Sequence, residues 1–189
     1  MQQELRELSL RYGQPLEVCY TLDANTYLAT RGHQVSEVCL VLQRPGGRFL
    51  TLTKAFYPPG VYRLPTGRIE WAESITDALH REMEEGIGLE ATILRYLAHL
   101  TYQHNEGRLF HSHVFLLAAE DTPRLKAPLE PIYSFREVSA QELLAIAQRL
   151  EQLPEAFSQE LSATWADWGR FRAIVHRVAA QALSSPQTP

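Results

Sequence analysis

Residues 64–89 read LPTGRIEWAESITDALHREMEEGIGL, and the fold turns on how this stretch winds. Ser74 followed by Asp77 has the spacing of a helix N-terminal capping box. Ile75, Ala78, Leu79 and Met83 then recur at helical intervals, which predicts a helix from Ser74 to about Glu85. Gly86 and Gly88 are expected to end it, because glycine enters the left-handed conformation that follows a helix at no steric cost. An α-helix advances about 100° per residue. With Ile75 at zero, Ala78 lies at about −60°, Leu79 at about +40° and Glu82 at about −20°. Glu82 therefore falls in the middle of the apolar face. Glu85 lies on its edge at about −80°, and Glu84 faces away at about 180°.

A carboxylate on an apolar face is costly unless it is paired or bound to a metal. Glu70 and Glu73, in the loop before the helix, can converge with Glu82 and Glu85. Hard oxygen ligands of that kind suit Mg²⁺ or Mn²⁺. The plainer reading pairs Glu82 with Arg81 or another buried cation and leaves the other acids in solvent.

Working outward, Val38-Cys39-Leu40-Val41-Leu42 is a continuous apolar run, expected as a buried strand within 37–43. A turn at 44–48 leads to an alternating strand at Phe49–Lys54. Pro58, Pro59 and Gly60 interrupt the pattern before Val61–Leu64. Strands at about 91–103 and 109–119 flank a hairpin turn at Asn105-Glu106-Gly107, and 132–138 adds another. Before this core, residues 1–12 suit a short amphipathic helix, and 17–30 read as strand-like with a turn near 23–25. After it, Ser139 with Glu142 opens a second helix and 161–183 a third. The domain plan is an N-terminal extension at 1–34, a core at 35–140, packed helices at 141–183 and a loose tail at 184–189. The expected fold is a mixed α/β (α+β) sandwich with a C-terminal helical extension.

With 45% hydrophobic and 21% charged residues the chain can bury a core unaided. A net charge of −4 and the lack of a dense basic run argue against long nucleic acids as partners. The two cysteines, Cys19 and Cys39, lie in apolar strand-like segments and are expected as buried thiols. The polar N-terminus and the absence of a long apolar run point to a cytoplasmic protein without a membrane span.

Gly67, five residues, Glu73, seven residues and then Arg81-Glu82-Met83-Glu84-Glu85-Gly86-Ile87-Gly88-Leu89 resemble the Nudix box, G-x5-E-x7-R-E-U-x-E-E-x-G-U with U aliphatic. The resemblance implies metal-dependent hydrolysis of a diphosphate bond in a nucleoside diphosphate linked to another group. It implies Mg²⁺ or Mn²⁺ ligands at Glu82, Glu85 and the Thr66 carbonyl, completed by a later acid, Glu130 or less well Glu106. Arg81 would orient a helix glutamate, with Glu73 as its partner; Glu82, Glu85, Arg81 and Glu73 form the candidate catalytic set. Tyr57, Tyr62 and Arg63 precede the box where related proteins receive the base or distal group, Gly67 is a further candidate substrate-binding residue, and Lys54, Arg48 and Arg68 are candidate phosphate contacts whose ordinary reading is solvated charge. The chain departs from the pattern at Gly86, where the box has its second adjacent glutamate. Two functions stay open: a hydrolase with a rearranged metal site, and a non-catalytic fold that binds a nucleotide-like ligand or a protein.

Among the remaining residues, His111 and His113 share a strand face but are too few for a zinc site. Trp165, Trp168 and Phe171 have helical spacing and are expected to pack on the domain or on a second subunit, a route to a homodimer.

Overall fold

The computed structural model describes residues 2–33, 35–105, 107–123 and 132–184. A mixed sheet forms the middle layer, and its long strands come from the apolar runs of the sequence. Strand β1 (Leu16–Thr21) pairs in parallel with β5 (Thr92–His104). Strand β5 forms an antiparallel hairpin with β6 (Arg108–Ala118), and β6 pairs in parallel with β2 (Ser36–Gln43). Strand β2 passes to β3 (Phe49–Lys54) at its end, and β3 carries β7 (Ile132–Val138) antiparallel. The short β4 (Thr66–Arg68) lies along the first half of β2, setting Glu37 against Arg68, Val38 against Gly67 and Cys39 against Thr66. Strand β2 is central, which is why Val38–Leu42 could be a continuous apolar run rather than an alternating one.

Helices cover both faces. Helix α1 (Gln2–Tyr12), helix α3 (Ile75–Arg81) and the turn that follows it bury Leu8, Ile75, Leu79 and Met83 against Val38, Leu40, Leu42 and Phe115. On the other face lie α2 (Thr26–Ala29), α4 (Ala140–Glu151) and α5 (Trp165–Ser184), with a small hairpin of β8 (Phe157–Ser158) and β9 (Ala163–Thr164) leading into α5. Fifteen of the twenty residues of α5 are buried, so the C-terminal extension is built into the core. Trp165, Trp168 and Phe171 are buried inside this chain, which removes that face as a surface for a second subunit.

Three local expectations need correction. The strand-like stretch 17–30 ends at Thr21, and Thr26–Ala29 is a helical turn. Asn25 caps it by accepting the Leu28 N–H, and Asp167 of α5 accepts from the Thr26 N–H and hydroxyl, so its capping comes partly from tertiary contact. The signature helix does not stop at Gly86: a π-helical turn spans Glu82–Ile87, and Gly88, at φ 70°, closes it alone. Cys19 is exposed, because β1 is an edge strand; Cys39 is buried, and burial pushes its thiol pKa up to about 12. Among the described residues no helix is long and apolar enough to cross a membrane.

Candidate active site

The site begins with the fit of one side chain over one glycine. Helix α3 starts at the Ser74 cap, whose hydroxyl accepts the Asp77 N–H. The helix delivers Glu82 onto β4, directly over Gly67. A Cβ on Gly67 would lie 1.8 Å from the Glu82 Cδ, so any larger residue there must displace the carboxylate. Glu82 is only 17% exposed, in accord with its place on the apolar face.

Arg81 holds it there. Its Nη1 donates to Glu82 Oε1 at 2.6 Å, its Nε and Nη2 donate to the two oxygens of Glu73 at 2.7 and 3.0 Å, and Nη2 also reaches the Arg68 carbonyl at 2.7 Å. This fork-to-fork pairing is the geometry in which arginine binds a carboxylate most specifically. Glu73 also accepts the Glu70 N–H, bracing the loop before the helix. The Arg81 hydrogen bond holds the Glu73 carboxyl below its ordinary pKa, and Glu73 in turn raises that of Arg81. The plainer pairing of Glu82 with Arg81 is thus present, but the pair faces a cleft and is not sealed in the core.

The cleft has a volume of about 480 Å³. Lys54, Tyr57, Arg63, Thr66, Gly67, Arg68, Glu70, Arg81, Glu82 and Glu85 of the sequence-predicted set line it. Glu73 lies behind Arg81 and outside that lining. Glu85 is exposed, and Glu70 is paired with Arg68 at 2.7 Å. Tyr62 is placed elsewhere: its hydroxyl meets Ser134 of β7 at 3.0 Å, and it does not line the cleft. Arg48 lies on β7 and α4, bonded to the Glu137 carbonyl and to Glu142. Glu130 and Glu106 lie outside the described residues.

The π turn changes the helical arithmetic. An i to i+5 turn winds less per residue than an α-helix, yet residues four apart still share a face, so Gly86 stays beside Glu82. A Cβ on Gly86 would lie 3.4 Å from Glu82 Oε2. A side chain at 86 would therefore add its group beside the Glu82 carboxylate. Glycine leaves a small cavity of about 20 Å³ there, lined by Lys54, Arg63, Thr66, Glu82 and Gly86 among others.

The other wall of the cleft did not come out of the sequence reading. Tyr27 and Arg31 come from α2 and the turn after it, Glu37 from β2, and Trp168 and Arg172 from α5. Arg172 Nη1 bonds both Glu37 oxygens, at 2.8 and 2.9 Å, as a fully buried pair, and its Nη2 bonds the Tyr27 hydroxyl. One turn on, His176 accepts the Leu64 N–H at Nε2 (2.9 Å) and pairs through Nδ1 with the Arg172 carbonyl (2.7 Å). Trp168, Arg172 and His176 follow an i, i+4, i+8 pattern on one side of α5. A signal was available: an arginine and a histidine four apart in an apolar helix require buried partners.

His111 and His113 do share a face, together with His99. His99 Nε2 and His111 Nδ1 are 3.2 Å apart, and His113 Nδ1 meets the Tyr96 hydroxyl at 2.8 Å. Among the described residues no three His, Cys, Asp or Glu side chains could hold a metal ion, at this cluster or at the cleft.

The NUDIX domain family model matches residues 33–161, which hold β2, the Gly67 turn, α3 and the Arg81–Glu82 clamp. The chain belongs to the NUDIX family. Two curated relatives carry the name NAD(P)H pyrophosphatase NUDT13, mitochondrial. The Mus musculus protein is 32% identical over 65 residues, covering 34% of this chain and 18% of that protein. The Homo sapiens protein is 30% identical over 76 residues, covering 40% and 22%. The matches thus span about a fifth of the relatives' lengths. Among solved structures, the NUDIX hydrolase from Nitrosomonas europaea aligns with a TM-score of 0.50 at 19% identity, covering 64% of this chain and 81% of that one, which shows the NUDIX fold.

Proposed function

We propose that this NUDIX protein hydrolyses a diphosphate bond in a nucleoside diphosphate linked to a second group, with Mg²⁺ or Mn²⁺ as cofactor. The observation that carries the reading is the seating of Glu82 over Gly67 at the cleft, clamped by Arg81 and Glu73. A clamp that fixes one carboxylate so closely is costly in side-chain entropy and has its use where the carboxylate must meet a ligand.

The donor set fits a hard divalent cation, though sparsely. Glu82, Glu85 and the Thr66 carbonyl are oxygen donors, and Mg²⁺ binds through one or two carboxylates while waters and substrate phosphates fill the rest of its shell. When bound, the cation supplies neutralisation of phosphate charge and a more acidic water. The chain's own residues do the remainder. Arg81 and Glu73 are positioning residues that aim Glu82, and Gly67 provides the space it occupies. Lys54 and Arg68 bring positive charge to the cleft, where Phe56 is the partly exposed aromatic ring that a planar base could meet. The relatives named as NAD(P)H pyrophosphatases make pyridine dinucleotides the first substrates to try. An exposed free thiol at Cys19 accords with a reducing compartment such as the cytoplasm.

The replacement of a box glutamate by Gly86, beside Glu82, favours a second reading: a NUDIX fold that binds such a ligand without turning it over. One experiment separates the two. NAD(P)H, ADP-ribose and dinucleoside polyphosphates are incubated with the protein and Mg²⁺ or Mn²⁺, beside a Glu82→Gln control. Cation-dependent turnover that collapses in the control supports the hydrolase. Absence of turnover above the control, from folded protein that still binds one of the compounds, selects the binding fold.

A further inference from the structure

Arg63 differs from three other arginines that line the cleft. Arg172 is paired with Glu37, Arg81 with Glu73 and Glu82, and Arg68 with Glu70. Arg63 is 5% exposed, yet its bonds go to neutral oxygens: Nε to the Tyr57 hydroxyl at 2.7 Å, and Nη1 to the Leu64 carbonyl at 2.8 Å and the Thr66 hydroxyl at 3.0 Å. No carboxylate pairs with it among the described residues. Its backbone is fixed as well, since Arg63 exchanges both hydrogen bonds with Leu52 of β3. A guanidinium cannot shed its proton, so its charge stays within the fold. A buried charge without a counter-ion is unfavourable, and it is retained where a ligand supplies the opposite charge.

The position of that charge is informative. Arg63 lines both the cleft and the small cavity beside Gly86, next to Thr66 and Glu82. A carboxylate carried at position 86 would enter this cavity and offset the Arg63 charge; glycine leaves the charge open to whatever anion enters the cleft. We propose that Arg63 is a built-in receptor for a phosphate group of the substrate, binding it without help from a divalent cation. The unused Nη2 supplies the donor, and the pairing with Tyr57, Leu64 and Thr66 holds the planar group ready, so little is lost in ordering it. The proposal rests on reading the cleft as a diphosphate site, and it assigns to Arg63 part of the charge neutralisation that a fuller carboxylate cage would delegate to metal.

The test is calorimetric titration of inorganic pyrophosphate into the full chain in excess chelator. Saturable binding is expected for the wild type. Arg63→Met is expected to weaken it roughly ten- to a hundredfold, the worth of a charge-assisted hydrogen bond. Gly86→Glu is expected to weaken it in the same direction while leaving Arg63 in place, which keeps the test alive if Arg63→Met does not fold. A wild type that binds no pyrophosphate in chelator overturns the proposal, as does either folded variant binding as tightly as the wild type. Cation-dependent hydrolysis without chelator-resistant binding would sink this proposal alone. Chelator-resistant binding lost in both variants, with no turnover of any substrate, would uphold it and sink the hydrolase reading alone.

Discussion

Replacing Gly67 by alanine should cost the site far more than it costs the fold. The added Cβ would lie 1.8 Å from Glu82 Cδ and 2.2 Å from Oε1, whereas carbon atoms rest about 3.5–4.0 Å apart. The Glu82 carboxylate must therefore retreat by about 2 Å, and its 2.6 Å bond from Arg81 Nη1 breaks. Gly67 is not among the residues with positive φ, so alanine meets no backbone strain. The stability cost is then the lost charge-assisted hydrogen bond and a displaced rotamer, partly offset by lower entropy of the unfolded chain, a net of about 1–3 kcal/mol. For a chain of this size that is a fall in Tm of roughly 2–12 °C. Turnover, by contrast, should fall to the level of Glu82→Gln, because the carboxylate no longer faces the cleft. The assay is a double-mutant cycle read by calorimetry and by substrate hydrolysis. In a Glu82→Ala background the obstructing atoms are gone, so adding Gly67→Ala should cost almost nothing or stabilise slightly. An equal Tm penalty in both backgrounds, or a Gly67→Ala protein within twofold of wild-type kcat, would refute the account of why this position is glycine.

Three further outcomes are expected. Burial lowers the pKa of His176 to about 4 and that of His113 to about 3, against about 6.5 in the unfolded chain, so the unfolded state binds more protons between these values. Stability from the neutral imidazoles is then complete above about pH 6.5 and drains as pH falls toward 4. His176→Gln should flatten the fall of Tm across that window, and an unchanged slope would show that the bond to the Leu64 N–H does not carry it. Gly169→Ala should destabilise by about 1–3 kcal/mol or more in urea unfolding, because its Cβ would lie 2.0 Å from the Leu150 carbonyl oxygen where α4 crosses α5; a neutral effect would mean that this crossing is looser than described. In the native protein a thiol reagent should titrate Cys19 and spare Cys39, with both reacting after denaturation, and two fast native thiols would contradict the burial of β2.

The sequence by itself determined the NUDIX fold and the core of the cleft. Periodicity places Ile75, Ala78 and Leu79 on one face, and the same count puts Glu82 among them, where a carboxylate demands an explanation. Local chemistry sufficed there, since the Ser74 and Ser139 caps, the apolar run of β2 and the β5–β6 hairpin depend on neighbours within a few residues. Tertiary structure decided what depends on distant partners. The α2 turn is capped partly by Asp167, 141 residues away from Thr26, so 26–29 reads as strand until α5 is placed beside it. The π turn carries the helix past Gly86 to Ile87, which a glycine expected to end it did not announce. Tyr62 and Arg63 are adjacent in sequence, yet alternation along an extended segment sends one to β7 and the other to the cleft. The second wall, with Glu37 and Arg172, exists because α5 folds back over the sheet and brings a buried cation to a buried carboxylate 135 residues away. Such pairs are set by desolvation and long-range packing, which leave only a trace in the chain: charged residues where the pattern calls for apolar ones.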